Sequence, residues 1–175
     1  MELHYRRVFE SATGGWVELH PLHGEDELLQ NILACSILAD HGYRVQLLPS
    51  IPENETALRE KFLQDVFLHK NPDIRVNGEM IGDIKTPDES TIVKKSTINR
   101  GIYSAAQQKV SIVVLNLCEK SYTVRDIKNG VIGALQPGRN KTIQHVWIIT
   151  KNRNLFTIDR RMIFDDSVYE ILADI

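Results

Sequence analysis

Apolar positions change their spacing several times along the chain, and each change marks an element. Tyr5–Phe9 and Trp16–His20 are short extended runs on either side of Thr13-Gly14-Gly15, which predicts a β-hairpin. Between residues 24 and 41, Leu28, Leu29, Ile32, Leu33 and Ser36 recur at helical spacing. This predicts a helix with that stripe turned inward, closed by His41-Gly42. Tyr43–Leu48 reads as a strand and Pro49 stops it. A short helix over Leu58–Phe67 is expected next, then strands at 72–76 and 79–85, then a helix over Ser96–Val110. Ser111–Cys118 has the apolar density of a strand covered on both faces. Thr123–Leu135 reads as an amphipathic helix in which Gly130 and Gly133 are weak points. Thr142–Thr150 is a strand, Leu155–Ile163 an edge strand, and Ser167–Leu172 a short helix. The order describes an α/β protein, a mixed central sheet flanked by helices on both faces. Its 175 residues read as one domain: a hairpin at 1–20, a core of roughly 21–150 and an extension at 151–175.

Composition narrows the class without deciding it. With 42% hydrophobic and 25% charged residues the chain is an ordinary α/β composition. A net charge of −2 excludes a generally basic nucleic-acid coat but leaves room for a local basic patch. Lys94, Lys95, Arg100 and Lys109 form one such basic segment. Cys35 and Cys118 sit in apolar surroundings and read as buried free thiols. No run of 18 apolar residues and no signal peptide occurs, so no membrane association and a cytosolic site of action are expected. Met1 and the lack of a linker fit a stand-alone chain.

The chemistry concentrates in Asn71-Pro72-Asp73-Ile74 and Gly82-Asp83-Ile84-Lys85-Thr86. Between them, Asn77-Gly78 flanked by apolar residues predicts a type I′ hairpin that swings Asp73 towards Asp83. Residues i and i+2 of a strand share a face, so Asp83 and Lys85 project together and Ile84 goes to the core. Two carboxylates suit a hard divalent cation, Mg²⁺ or Mn²⁺, with the Ile84 carbonyl as a further oxygen. Lys85 beside a scissile phosphate would orient or deprotonate the attacking water, or neutralise developing charge.

These residues resemble the PD-(D/E)xK nuclease superfamily, matched here by Pro72-Asp73 and Asp83-Ile84-Lys85. More narrowly, residues 37–45, Leu47-Leu48-Pro49, Asn71-Pro72-Asp73, Asp83-Ile84-Lys85 and Ala106-Gln107-Gln108 before Ile112–Leu115 look like the C-terminal tRNA-nuclease domain of contact-dependent growth-inhibition toxins. The resemblance spans roughly 20–150 and implies a restriction-endonuclease-like core acting on RNA, with tRNA the favoured substrate. It also implies an immunity protein as partner and delivery within a larger secreted toxin. Such nucleases often carry a first-helix glutamate facing the metal. Glu25 and Glu27 are the candidates, and Glu25 is favoured because a helix running from 24 puts it on the stripe of Leu28, Leu29 and Ile32. Many also carry a glutamine on the helix after the hairpin, here Gln107 or Gln108, with Gln108 the better spaced. The second acid is aspartate rather than the commoner glutamate, which shortens its reach by one methylene.

Plainer roles exist for each residue. Pro-Asp alone is ordinarily a turn, Asp-x-Lys a solvated strand, and the lysines and Arg100 a solvated helix face that doubles as phosphate contacts in the nuclease reading. His20, His23, His41, His69 and His145 lack zinc spacing and read as surface or packing residues. Trp16 and Trp147 are expected in the core. A DNA endonuclease and a non-catalytic nucleic-acid-binding module of the same fold are the competing functions.

Overall fold

The computed structural model describes residues 2–175, which form two compact units dividing between Asp83 and Ile84. In the first, β1 (Arg6–Glu10) and β2 (Trp16–Leu19) pair antiparallel as the predicted hairpin. Helix α1 (Leu28–Asp40) then crosses to β3 (Arg44–Leu47), which runs parallel to β2. Helix α2 is Thr56–Phe62, after which β4 (Ile74–Val76) and β5 (Met80–Lys85) return antiparallel. Asn77 and Gly78 have φ of 51° and 77°, the two left-handed residues that a type I′ turn demands. Val17, Leu38, Val45, Leu47, Ile74 and Val76 are fully buried and fill the core of this unit.

Helix α1 departs from expectation twice. It starts at Leu28, one turn late, with Glu27 as an uncapped left-handed residue at φ 59°. Its buried face is Asn31, Ala34, Cys35 and Leu38, whereas Leu29 is 82% exposed and Ile32, Leu33 and Ser36 are half-buried. The sequence Leu-Leu-Gln-Asn-Ile-Leu-Ala-Cys-Ser-Ile-Leu-Ala-Asp is apolar nearly all round, so periodicity gives no clear preference for a face. The side with Ala34 and Cys35 is the slim one and permits close approach to the strands. Gly15 serves the same packing: a Cβ there would lie 2.0 Å from the Ala39 carbonyl oxygen.

Helix α2 begins two residues earlier than predicted and stops at Phe62, so 63–73 is loop. Trp16 is half-buried rather than core, with the Arg7 guanidinium 4.4 Å above its ring.

In the second unit, α3 (Lys95–Gln107) leads to β6 (Ile112–Asn116), every residue of which is buried, as its apolar run requires. Helix α4 (Val124–Ala134) is capped by Thr123, whose hydroxyl accepts from the Asp126 N–H at 3.1 Å. Strand β7 (His145–Ile149) runs parallel to β6, and β8 (Leu155–Asp159) antiparallel to β7. A 3-10 turn, Arg160–Ile163, ends the edge strand four residues before the predicted limit, and α5 (Ser167–Leu172) closes the chain. Gly130 costs helix propensity but is required by packing, since a Cβ there would lie 2.6 Å from the Ile98 Cβ. Trp147 is 4% exposed, and both cysteines are buried and free. No helix among the described residues is long and apolar enough to cross a membrane.

Candidate active site on the Asp73–Asp83 hairpin

The β4–β5 register pairs Ile74 with Gly82, which brings Asp73 beside Asp83. The Asp73 backbone N–H donates to Asp83 Oδ1 at 3.3 Å, and the Asp73 carbonyl accepts from Leu48 N–H at 2.8 Å. Asp83 is 4% exposed and Asp73 half-buried. On β5, Asp83 and Lys85 are alternate residues, so the pleat directs both to one face, and Ile84, 3% exposed, to the other.

The loop before Asp73 is irregular but built. Arg59, 5% exposed, donates to four main-chain and side-chain oxygens: Ile51 O (2.8 Å), Asn71 Oδ1 (3.1 Å), Phe67 O (3.3 Å) and Lys70 O (2.8 Å). Asn71 Oδ1 also accepts from Ile51 N–H at 3.0 Å. A buried guanidinium is tolerated because its fork is almost fully used. Its effect is to fix the backbone leading into Pro72-Asp73. Nothing in the local sequence pattern marks Arg59 for this.

Asp73 lines a cavity of about 250 Å³ together with His23, Asp26, Glu27, Asn31, Asn71 and others. Glu27, not Glu25, shares this cavity. Glu25 lies before the start of α1 and lines a separate cavity with His20 and Arg6, so the helical argument that favoured it has no helix to act through. The buried polar residue that α1 does bring to the cavity is Asn31, 3% exposed, which the sequence reading passed over. The available signal was its place on the Ala34–Cys35–Leu38 face. Burial, followed by the charge of Asp73, drives the Cys35 thiol far above its ordinary range, so that thiol is inert.

In the second unit, Gly101 of α3 faces Lys85: a Cβ there would stand 3.6 Å from the Lys85 Cβ. Gln108, the half-buried C-cap of α3, is seven residues on and therefore on the same side, about 10 Å along the axis. Gln107 is exposed. Lys94, Lys95, Arg100 and Lys109 are all exposed, but they span α3 from its N-cap to just past its C-cap, roughly 20 Å, rather than forming one cluster. Thr86 follows Lys85 and accepts from the buried Asn116 amide at 3.2 Å.

Among the described residues, no group of three or more His, Cys, Asp or Glu side chains is assembled to hold a metal. Mg²⁺ asks less of a protein: one or two carboxylates, with waters and substrate phosphate completing its shell. The neighbouring carboxylates of Asp73 and Asp83 have the hard-oxygen chemistry for that lesser demand.

A mixed α/β architecture with a two-acid hairpin is thus the class that fold and site define. Residues 70–155, the Asp73–Asp83 hairpin included, match the family described as contact-dependent growth inhibition CdiA C-terminal domain. A chain of the "CdiA-CT/CdiI toxin and immunity complex from Burkholderia pseudomallei" has a similar fold. The two are 22% identical with a TM-score of 0.54, over 79% of this chain and 91% of that one. No sequence among curated proteins matches the chain.

Proposed function

We propose that this chain is the toxin effector of a contact-dependent growth-inhibition system and acts as a metal-dependent nuclease on RNA, with tRNA the first substrate to test. The observation that carries the reading is the pairing of Asp73 with Asp83 across the hairpin, with Lys85 alternate to Asp83 on β5. Asp73, Asp83 and the Ile84 carbonyl would hold Mg²⁺ or Mn²⁺, which when bound polarises the phosphate and acidifies a water. Lys85 orients the water and offsets negative charge as it builds on the phosphoryl oxygens. Hydrolysis forms one bond from water oxygen to phosphorus and breaks one phosphorus–ester oxygen bond. One water proton is lost and the departing oxygen gains one. Gln108 is assigned to substrate positioning, and Lys94, Lys95, Arg100 and Lys109 to phosphates along a strand several nucleotides long, which suits their spread. Of the helix glutamates, Glu27 now has the better claim to assist, since it borders the Asp73 cavity.

The immunity-protein partner is likewise a proposal, drawn from the Burkholderia pseudomallei complex. Delivery by a larger protein and action in the target cytoplasm are proposed on the CdiA family match. The test is cleavage of total tRNA and of plasmid DNA by the purified chain with Mg²⁺, Mn²⁺ or EDTA, alongside Asp83→Ala. Metal-dependent cutting of tRNA, absent in the variant, supports the reading. Cutting of DNA alone moves it to a DNA endonuclease, and no cutting of either favours a binding module.

A further inference from the structure

Resting on that nuclease reading, we infer that Tyr103 is a stacking platform on the exposed face of α3 for an unpaired base of the RNA, next to the cleaved bond. Ile84–Ile175 carries 14 Lys and Arg against 9 Asp and Glu, a net +5, whereas the first unit carries 7 against 14, a net −7. A polyanion is drawn to the second unit and repelled by the first. Within the second unit no Asp or Glu occurs from Ser90 to Cys118, the stretch that holds Lys94, Lys95, Arg100 and Lys109. Asp126 of α4 reaches only the start of α3, where it accepts from the Lys95 N–H at 3.2 Å. The buried side of α3 is Ile98, Ile102, Ala105 and Ala106. Its outer side exposes Ser96, Arg100, Tyr103, Ser104 and Gln107, so Arg100, Tyr103 and Gln107 are neighbours at spacings of three and four.

Tyr103 is 61% exposed. Among the described residues, neither a second ring nor a cation covers its face. Other tyrosines are occupied: Lys128 Nζ stands 5.2 Å over the Tyr169 ring, Lys151 Nζ 5.6 Å over Tyr122, and Tyr5 packs edge-on against His20 and Phe62. Every base has a π-face, so an open ring among cations suits a single strand of any sequence. Bases already stacked in a duplex offer it no face. Gly101 faces Lys85, and Tyr103 is two residues on, about 200° around the helix. The ring therefore stands across α3 from Lys85, with about 10–12 Å of helix between them. The base it takes belongs to a nucleotide flanking the cleaved bond, and Arg100, one turn before the ring, takes a phosphate on the way. Tyr103 is thus a positioning residue that touches no reacting atom.

The test is binding to the whole chain, in EDTA, of a fluorescein-labelled single-stranded RNA of about 12 nucleotides and of an RNA duplex of the same length, read by anisotropy. The variants are Tyr103→Ala, Tyr103→Gln, Tyr103→Phe and Arg100→Ala, with melting curves to confirm folding. Tyr103→Ala and Tyr103→Gln should weaken the single strand about 5-fold or more and leave the duplex unchanged, while Tyr103→Phe keeps wild-type affinity. Arg100→Ala should flatten the log–log salt slope by about 0.7, and none of the Tyr103 variants should. On tRNA, Tyr103→Ala should raise KM and leave kcat near the wild type. Wild-type affinity for the single strand in Tyr103→Ala overturns the inference, as does an equal loss on the duplex, no recovery in Tyr103→Phe, or a wild-type chain that binds no single strand. If Tyr103→Ala fails to fold, Tyr103→Gln decides in its place. A chain that binds the single strand through Tyr103 yet cuts neither tRNA nor DNA loses the nuclease reading and keeps a face for unpaired bases.

Discussion

The Asp73 amide donates to Asp83 Oδ1 at 3.3 Å, so the second acid of the hairpin is also the latch that holds the first in place. In the proposed reaction structural and chemical roles share this one carboxylate, and substitutions should separate them. Asp83→Asn keeps an oxygen for the latch and should melt near the wild type while losing cleavage. Asp83→Ala should lose cleavage and about 1–3 kcal/mol of stability in urea. Cleavage retained by either variant would remove Asp83 from the chemistry.

Lys85 separates charge from shape. Lys85→Ala should lower single-turnover cleavage about 100-fold or more, in the range found when a group that stabilises transition-state charge is removed. Lys85→Arg should recover only part, because a planar guanidinium does not place its charge where an ammonium does. A variant as fast as the wild type would return Lys85 to the role of a solvated strand residue.

Arg59 is predicted to be a stability residue with a functional shadow. Removing it leaves the buried Ile51 oxygen, and the part-buried oxygens of Phe67, Lys70 and Asn71, without this donor, and Arg59→Ala should cost about 1–3 kcal/mol in chemical denaturation. Arg59→Lys should recover little, since three donors at one point do not span four acceptors. A loss under 1 kcal/mol would show that the loop keeps its shape without the guanidinium.

Acid should weaken the first unit through its buried imidazoles. Burial lowers the His20 and His23 pKa values from the ordinary 6.5; at His20 the neighbouring His23 and Lys61 lower it further, and at His23 the Leu48 carbonyl pulls partly back. The unfolded chain then binds protons that the folded chain refuses. This contribution is full above pH 6.5 and is lost as pH falls from there through the folded values. Urea midpoints measured from pH 8 to pH 5 should drop, and His23→Gln should flatten the drop. The Asp65–Arg75 pair acts lower down. Burial raises the Asp65 carboxyl, but the Arg75 hydrogen bonds and charge outweigh it, so its share persists until pH falls below 3.8.

The parts legible in advance were those with one dominant signal. Asn77-Gly78 announces its turn, the turn sets the register, and the register places Asp73 by Asp83. The run 111–118 announces a strand covered on both sides. Helix α1 was illegible in face and start for a common reason. It is apolar on every side, and its first residue follows an uncapped glutamate in left-handed backbone, so neither moment nor capping chemistry marks the boundary. That error carried Glu25 into the candidate site and left out Asn31. Arg59 was illegible because its partners are main-chain oxygens of a loop, which leave no trace in residue type.

That last residue bears on genetics. If the chain is selected in living cells for loss of toxicity, changes at Arg59 will be recovered beside changes at Asp83, although the guanidinium takes no part in the proposed reaction. Survivor counts alone would score the two positions alike. Pairing each survivor with its protein abundance would sort the scaffold of the loop from the acids that it presents.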